Sequence, residues 1–224
     1  MSKGAAKRGR AVAIFGGTFD PIHCGHLVVA GAAARRFHLD EIYFVPSSRP
    51  PHKKRQELAA FSHRYAMVAL ACAGKARFVP SLAEAPDDAG APQVFYSIDT
   101  VRRFREQHAT DEIYFILGAD SFLEIPIWRT YEALLDSCDF VIASRPGIRL
   151  EALKRVIPAH LLGHQNARSR NAIALRKSTV HLLTSVASDV SSTDIRRRCR
   201  RGASIHALVP PAVEDYIHRQ ALYR

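Results

Sequence analysis

Ala11-Val12-Ala13-Ile14-Phe15-Gly16-Gly17-Thr18-Phe19-Asp20-Pro21-Ile22-His23-Cys24-Gly25-His26 is the stretch on which the fold turns. Its first five residues form an apolar run that reads as a short buried strand. Residues 27–37 carry Ala, Leu and Val at helical spacing, with Arg35 and Arg36 near the end. Between strand and helix lies a loop suited to phosphate. Gly16 and Gly17 let the backbone approach a ligand without a Cβ clash, and a helix starting near Gly25 aims unpaired N–H groups and its positive dipole end at an anion. Thr18 and Phe19 continue the loop. His23 and His26 add donors that titrate near neutrality and can respond to charge as it develops. A polar helix start explains the two histidines more plainly. A zinc site fits less well, because adjacent His23 and Cys24 chelate poorly and the chain has no Cys-x-x-Cys pair.

With 224 residues and 47% hydrophobic content, the chain can bury one large core, and one domain over residues 11–224 is expected. Residues 1–10 form a basic tail expected to be disordered. No apolar run approaches the ~18 residues that span a bilayer, and the tail has no apolar signal core, so neither membrane nor secretion is expected. Cys24, Cys72, Cys138 and Cys199 are dispersed without a disulfide framework, which suits a reducing compartment and predicts the cytoplasm. The formal charge of +11 attracts polyanions, but much of it is local: Lys3, Lys7, Arg8 and Arg10 in the tail, and a cluster at Arg196, Arg197, Arg198, Arg200 and Arg201. Aromatic residues are not interleaved with these arginines, which argues against a nucleic-acid platform and leaves small-substrate phosphates as their partners.

Short apolar runs alternate with helical patterns along the rest of the chain. Strands are expected at 41–46, 77–80, 112–118, 139–144 and 179–183, and helices at 62–74, 97–108 and 131–135. This rhythm predicts an α/β, Rossmann-like, doubly wound parallel sheet with helices on both faces and a small C-terminal helical part. Ligands of such sheets gather at the carboxyl ends of the strands, where Gly118, Asp120, Ser144 and Arg145 also fall. Asp120 can equally cap the next helix. Three segments interrupt the pattern: a stiff basic loop at 46–55, an acidic Gly/Pro connection at 83–92 that looks like a plain connector, and a polar stretch at 159–177 read as a surface excursion.

A second motif, Val190-Ser191-Ser192-Thr193-Asp194-Ile195-Arg196, has Ser191 and Asp194 at the spacing of a capped helix start. The same geometry offers hydroxyls and first-turn N–H groups to phosphate oxygens, while Arg196 adds a charged fork about one turn later.

The two motifs together resemble the nucleotidyltransferase superfamily whose signatures are (His/Thr)-x-Gly-His and Ile-Ser-Ser-Thr-x-x-Arg. Phe15-Gly16-Gly17-Thr18-Phe19-Asp20-Pro21-Ile22-His23 is similar to its bacterial nicotinate-mononucleotide adenylyltransferase branch. Further segments agree in order: Pro46-Ser47-Ser48-Arg49-Pro50-Pro51-His52-Lys53, Tyr96-Ser97-Ile98-Asp99-Thr100, Gly118-Ala119-Asp120-Ser121, Trp128, Ser144-Arg145-Pro146-Gly147 and Leu222-Tyr223-Arg224. The resemblance runs from Val12 to Arg224. The chain departs from it at Ser47 or Ser48, where Asn is frequent, at Ser97 in place of Thr, and at Arg129 in place of an aromatic.

The resemblance implies transfer of the adenylyl group of ATP to nicotinate mononucleotide, giving nicotinate adenine dinucleotide and pyrophosphate on the route to NAD. It implies catalytic roles for His23, His26 and Arg196, and ATP contacts from Gly16, Gly17, Thr18, Phe19, Gly118, Asp120, Ser191, Ser192 and Thr193. Acceptor contacts are implied for His52, Lys53, Tyr96, Ser97, Trp128 and Arg145, with Trp128 stacked on the pyridine ring. As the single tryptophan, Trp128 also suits a core anchor. Mg²⁺ is expected to travel with ATP rather than on a protein metal cluster. Rival readings are the same chemistry on nicotinamide mononucleotide or phosphopantetheine, and a basic nucleic-acid-binding protein. Acid against amide preference and oligomeric state are left open.

Overall fold

The computed structural model describes residues 9–48, 58–86, 94–144, 149–164, 171–184 and 190–224. Its centre is a seven-stranded sheet: β1 (Ala11–Gly17), β2 (Glu41–Pro46), β3 (Phe78–Pro80), β4 (Glu112–Gly118), β5 (Asp139–Ala143), β6 (Ala172–Ala174) and β7 (Thr179–Leu183), in the spatial order β3-β2-β1-β4-β5-β7-β6. All neighbours pair in parallel except β6 and β7. The expected α/β architecture is therefore observed, with one antiparallel edge. That edge arises inside the stretch read as a surface excursion. Leu175 N–H closes a turn onto the Ser178 carbonyl at 2.8 Å, and so short a connection can join only antiparallel strands.

The apolar run of β1 is explained by its position. Val12, Ala13 and Ile14 are fully buried and Phe15 nearly so, because helices cover both faces of the sheet. Ala13 and Phe15 face a core built with α1 (Cys24–Phe37), α2 (Phe61–Cys72), α7 (Ser192–Arg200) and α8 (Pro211–Arg219). Ile14 faces the opposite core, built with α3 (Ser97–Gln107), α4 (Ala119–Leu123), α5 (Tyr131–Leu135) and α6 (Leu150–Arg155). Alternation of side chains along a strand thus feeds two apolar layers from one segment. The helix α1 buries Ala30, Ala33 and Ala34, and these small side chains let it pack closely on the sheet, where it meets β2.

From β1 the chain moves outward through β2 and β3, then returns to place β4 on the other side of β1. The carboxyl ends of β1 and β4 therefore flank a topological switch point, where strand connections diverge and leave a crevice. Arg10, counted with the basic tail, is anchored instead: its N–H bonds Asp111 at 3.0 Å and its guanidinium meets Glu41 at 2.7 Å. Residues 1–8 lie outside the described residues. No helix among the described residues is long and apolar enough to cross a membrane.

Candidate active site

The β1 exit forms a tight floor. A Cβ on Gly17 would lie 2.9 Å from the Phe19 ring, and one on Gly16 would lie 3.2 Å from Phe115, so a side chain at either position would crowd a ring of the floor. Phe19 itself adopts φ 48°, a left-handed conformation that costs an L-residue roughly 1–2 kcal/mol. Burial of its ring to 2% exposure, worth about 1.5–3 kcal/mol, offsets that strain. The ring joins Phe15, Phe44 and His26 in a cluster of tilted and edge-on contacts.

His23 is the N-cap of α1, and its backbone N–H donates to His26 Nδ1 at 3.2 Å. An accepting Nδ1 carries no proton, so the proton of a neutral His26 sits on Nε2. The two imidazoles stack with centroids 3.7 Å apart. Loss of hydration, with the neighbouring His23 second, holds the His26 pKa well below the usual 6.5. His26 is therefore a neutral donor near pH 7, set in the first turn of α1 at the wall of a cleft.

The second motif folds onto this loop. Ser191 caps α7 by accepting from Asp194 N–H at 3.1 Å, as its spacing predicts. Ser192 Oγ donates to the Pro21 carbonyl at 2.9 Å, and Arg196 donates to the Asp20 carbonyl at 2.6 Å. Asp20, only 1% exposed, accepts from the Tyr223 hydroxyl at 2.7 Å and from Ala59 N–H at 3.3 Å, with Arg196 at 3.8 Å from its other oxygen. Arg196 is thus held by the backbone and side chain of the β1–α1 loop while 14% of its side chain stays open. The product is a cleft of about 370 Å³ with a polar wall that presents Arg196 beside the two imidazoles.

A second cavity of about 270 Å³ opens on the other side of Gly16, Gly17 and Thr18, which border both spaces. Four aromatic residues line it, Phe95, Tyr96, Phe115 and Trp128, together with aliphatic Ile14, Val45, Leu117 and Ile127. The Arg129 guanidinium lies 4.5 Å from the Tyr96 ring centroid, a cation–π contact. Trp128 packs on the adjacent core, and its buried indole N–H has no partner among the described residues. Trp128 therefore has the core contact expected of an anchor and also lines the cavity. Glu84 also reaches this wall and accepts from Thr100 Oγ1 at 2.7 Å; burial pushes its pKa up despite that bond.

The residues expected to bind ATP or to catalyse all border the polar cleft: Gly16 to Phe19, His23, His26, Gly118, Asp120, Ser191 to Thr193 and Arg196. Asp120 lies in the first turn of α4 rather than at its cap, which is Gly118. Tyr96, Ser97 and Trp128 border the aromatic cavity. His52, Lys53 and Arg145 lie outside the described residues. Reading the sequence did not single out Arg64, Asp20, Tyr223 or Glu84 for a site. Asp20 stood inside the quoted motif and Tyr223 in a quoted segment, but only the fold brings them together across 203 positions. Glu84 belongs to the segment read as a plain connector.

Residues 14–198 match the sequence profile of the cytidylyltransferase-like family. Among curated relatives, a protein of Pelobacter propionicus is 40% identical over 95% of this chain and 97% of its own length. One of Geobacter sulfurreducens is 41% identical over 94% and 96%; both are named "Probable nicotinate-nucleotide adenylyltransferase". Among solved structures, the nicotinic acid mononucleotide adenylyltransferase of Plasmodium falciparum complexed with NaAD superposes with a TM-score of 0.72 at 20% identity, covering 96% of this chain and 97% of that one.

Proposed function

The chain belongs to the cytidylyltransferase-like family, and from that premise and the two-chambered crevice we propose that it transfers the adenylyl group of ATP to nicotinate mononucleotide. The products are nicotinate adenine dinucleotide and pyrophosphate, a step of NAD biosynthesis. The observation that carries the reading is the shared wall: a polar cleft that presents Arg196 and two imidazoles, and a cavity lined by four aromatic rings, meet at Gly16, Gly17 and Thr18. A triphosphate suits the first and an aromatic mononucleotide the second, and their phosphates would then meet beside Gly16 and Gly17, where no Cβ obstructs.

In this reaction a phosphate oxygen of the mononucleotide attacks the α-phosphorus of ATP, and the bond from that phosphorus to the bridging oxygen of the β-phosphate breaks. The nucleophile is already ionised, so no general base is required. The barrier is the approach of two anions and the charge that builds on the leaving pyrophosphate. Neutral His26, with its proton on Nε2, would donate to phosphate oxygen without needing to change state. His23 would lie alongside it. Arg196, Ser192 and Thr193 would bind the departing phosphates, with Arg196 aimed by Asp20. Trp128 would stack on the pyridine ring, and Tyr96, Ser97, His52, Lys53 and Arg145 would complete the acceptor side.

Mg²⁺ would enter as MgATP. The ion would be held mainly by phosphate oxygens and water. When bound it supplies charge neutralisation to the phosphates. Residues 11–224 would act as one transferase domain. Four free cysteines favour a reducing cytoplasm.

The test is pyrophosphate release by the purified protein with MgATP and, in parallel, nicotinate mononucleotide, nicotinamide mononucleotide or phosphopantetheine. Release that depends on nicotinate mononucleotide supports the proposal. Release only with phosphopantetheine overturns the acceptor, and no release with any of them overturns the reaction.

A further inference from the structure

We propose that Arg64 is a positioning residue for the transfer, its guanidinium setting the separation between the loop that borders the triphosphate cleft and the segment that borders the acceptor cavity. This rests on the adenylyl-transfer reading above. Arg64 lies on α2, is 1% exposed, and touches neither cavity. Its donors span four carbonyls in three segments. Nε reaches Ala59 at 3.0 Å, Nη1 reaches Thr18 at 2.9 Å and Ser47 at 2.7 Å, and Nη2 reaches Ser48 at 2.9 Å. Thr18 belongs to the wall shared by both chambers, whereas Ser47 lines only the acceptor cavity. One nitrogen, Nη1, therefore ties the shared wall to a segment found only on the acceptor side.

A cation so enclosed is a poor choice for stability alone, since apolar side chains of similar volume commonly do as well or better. Burial pulls its pKa down, and Asp20 nearby works in the opposite direction. What the guanidinium supplies, and an apolar residue cannot, is a planar fork of fixed donor directions. Lysine offers a compact charge on a flexible stem and cannot reproduce bonds from three nitrogens at once. The backbone bond from Ser47 N–H to the Gly17 carbonyl, at 2.9 Å, brings the same two segments together at one point. Arg64 adds the further points that fix their angle. Joining two phosphates demands that geometry, because a misplacement of about 1 Å can lower turnover roughly 100-fold.

The test compares Arg64→Lys and Arg64→Gln with the unaltered protein, measuring turnover on MgATP with nicotinate mononucleotide. Calorimetry then measures binding of nicotinate mononucleotide alone and of a non-hydrolysable α,β-methylene ATP analogue alone. A positioning role predicts that kcat falls about 100-fold in both variants while each ligand alone binds within about threefold of normal. Folded variants with normal kcat overturn it. So does loss of the folded state in both, or weakened binding of single ligands that accounts for the loss, since either shows a structural or local role. Absence of turnover in the unaltered protein marks failure of the functional reading, and this inference falls with it. Turnover there with normal kcat in the variants marks failure of the positioning role alone.

Discussion

The two chambers on either side of Thr18 are built on opposite plans. The polar cleft draws most of its wall from two compact sequence segments, 15–29 and 190–196, with 118–121 and 143–144 closing it, and it presents two stacked imidazoles and one anchored arginine. The aromatic cavity is assembled from short pieces of β1, β2, β4, α3 and α4, Glu84 and the turn before α5, and four aromatic rings line it. Charge stabilisation needs groups that already point at the place where charge will develop, so it favours a rigid motif. Recognition of a flat ring needs area and shape, which scattered side chains supply as well as contiguous ones. On this comparison, damage to the cleft lowers kcat, whereas damage to the cavity weakens acceptor binding.

The largest effect is expected at the cleft. His26→Ala removes a donor preset by the His23 N–H bond, and kcat should fall about 1,000-fold with thermal unfolding little changed. A folded variant with near-normal kcat would break the comparison at its stronger half. Trp128→Ala should raise KM for the mononucleotide about tenfold while kcat changes less, the mark of binding shared by ground and transition states. Should kcat fall as far as KM rises, Trp128 also holds the catalytic geometry, and the division between chambers is less sharp than drawn.

The smallest effect is on stability against pH. His26 has a folded pKa below its unfolded 6.5, as does His181, through burial and then Arg36. Between pH 6.5 and the lower folded values the unfolded chain takes up protons that the folded one refuses, so stability present above 6.5 is lost as pH falls through that window. One such group contributes a slope of at most about 1.4 kcal/mol per pH unit. Denaturant titrations from pH 7 to 5 should show a shallower decline for His26→Gln than for the unaltered protein, not a flat one, because His181 remains. An equally steep decline would mean that His26 accepts a proton in the folded state.

The same contrast explains what was legible in the sequence. The strand, the glycine pair and both histidines lie within sixteen residues, so local rules place them, and the alternation of apolar runs predicts the parallel sheet. The Ser191 cap is equally local. The antiparallel β6 escaped because three residues carry no measurable period. Arg64 escaped for a different reason: on α2 it reads as one ordinary charge in a helix, and only the carbonyls of Thr18, Ser47 and Ser48, brought in by the fold, turn it inward. Glu84 became a wall residue through its bond to Thr100 on α3, sixteen positions away. Side chains whose role depends on partners from other elements leave no local trace.

Asp20 has a consequence for the life of the polypeptide before it is ever an enzyme. Its partners Arg196 and Tyr223 lie 176 and 203 positions further along, and Ser192 reaches back 171 positions to Pro21. A ribosome that has delivered β1, α1 and most of the sheet has therefore delivered strands and helices able to pair, but a phosphate loop still without its arginine. Closure of so long a loop is among the slower events of folding. Nucleotide binding becomes possible only once the last-made helices have docked, so an incompletely translated chain would hold the outline of the crevice without the means to draw ATP from the cell.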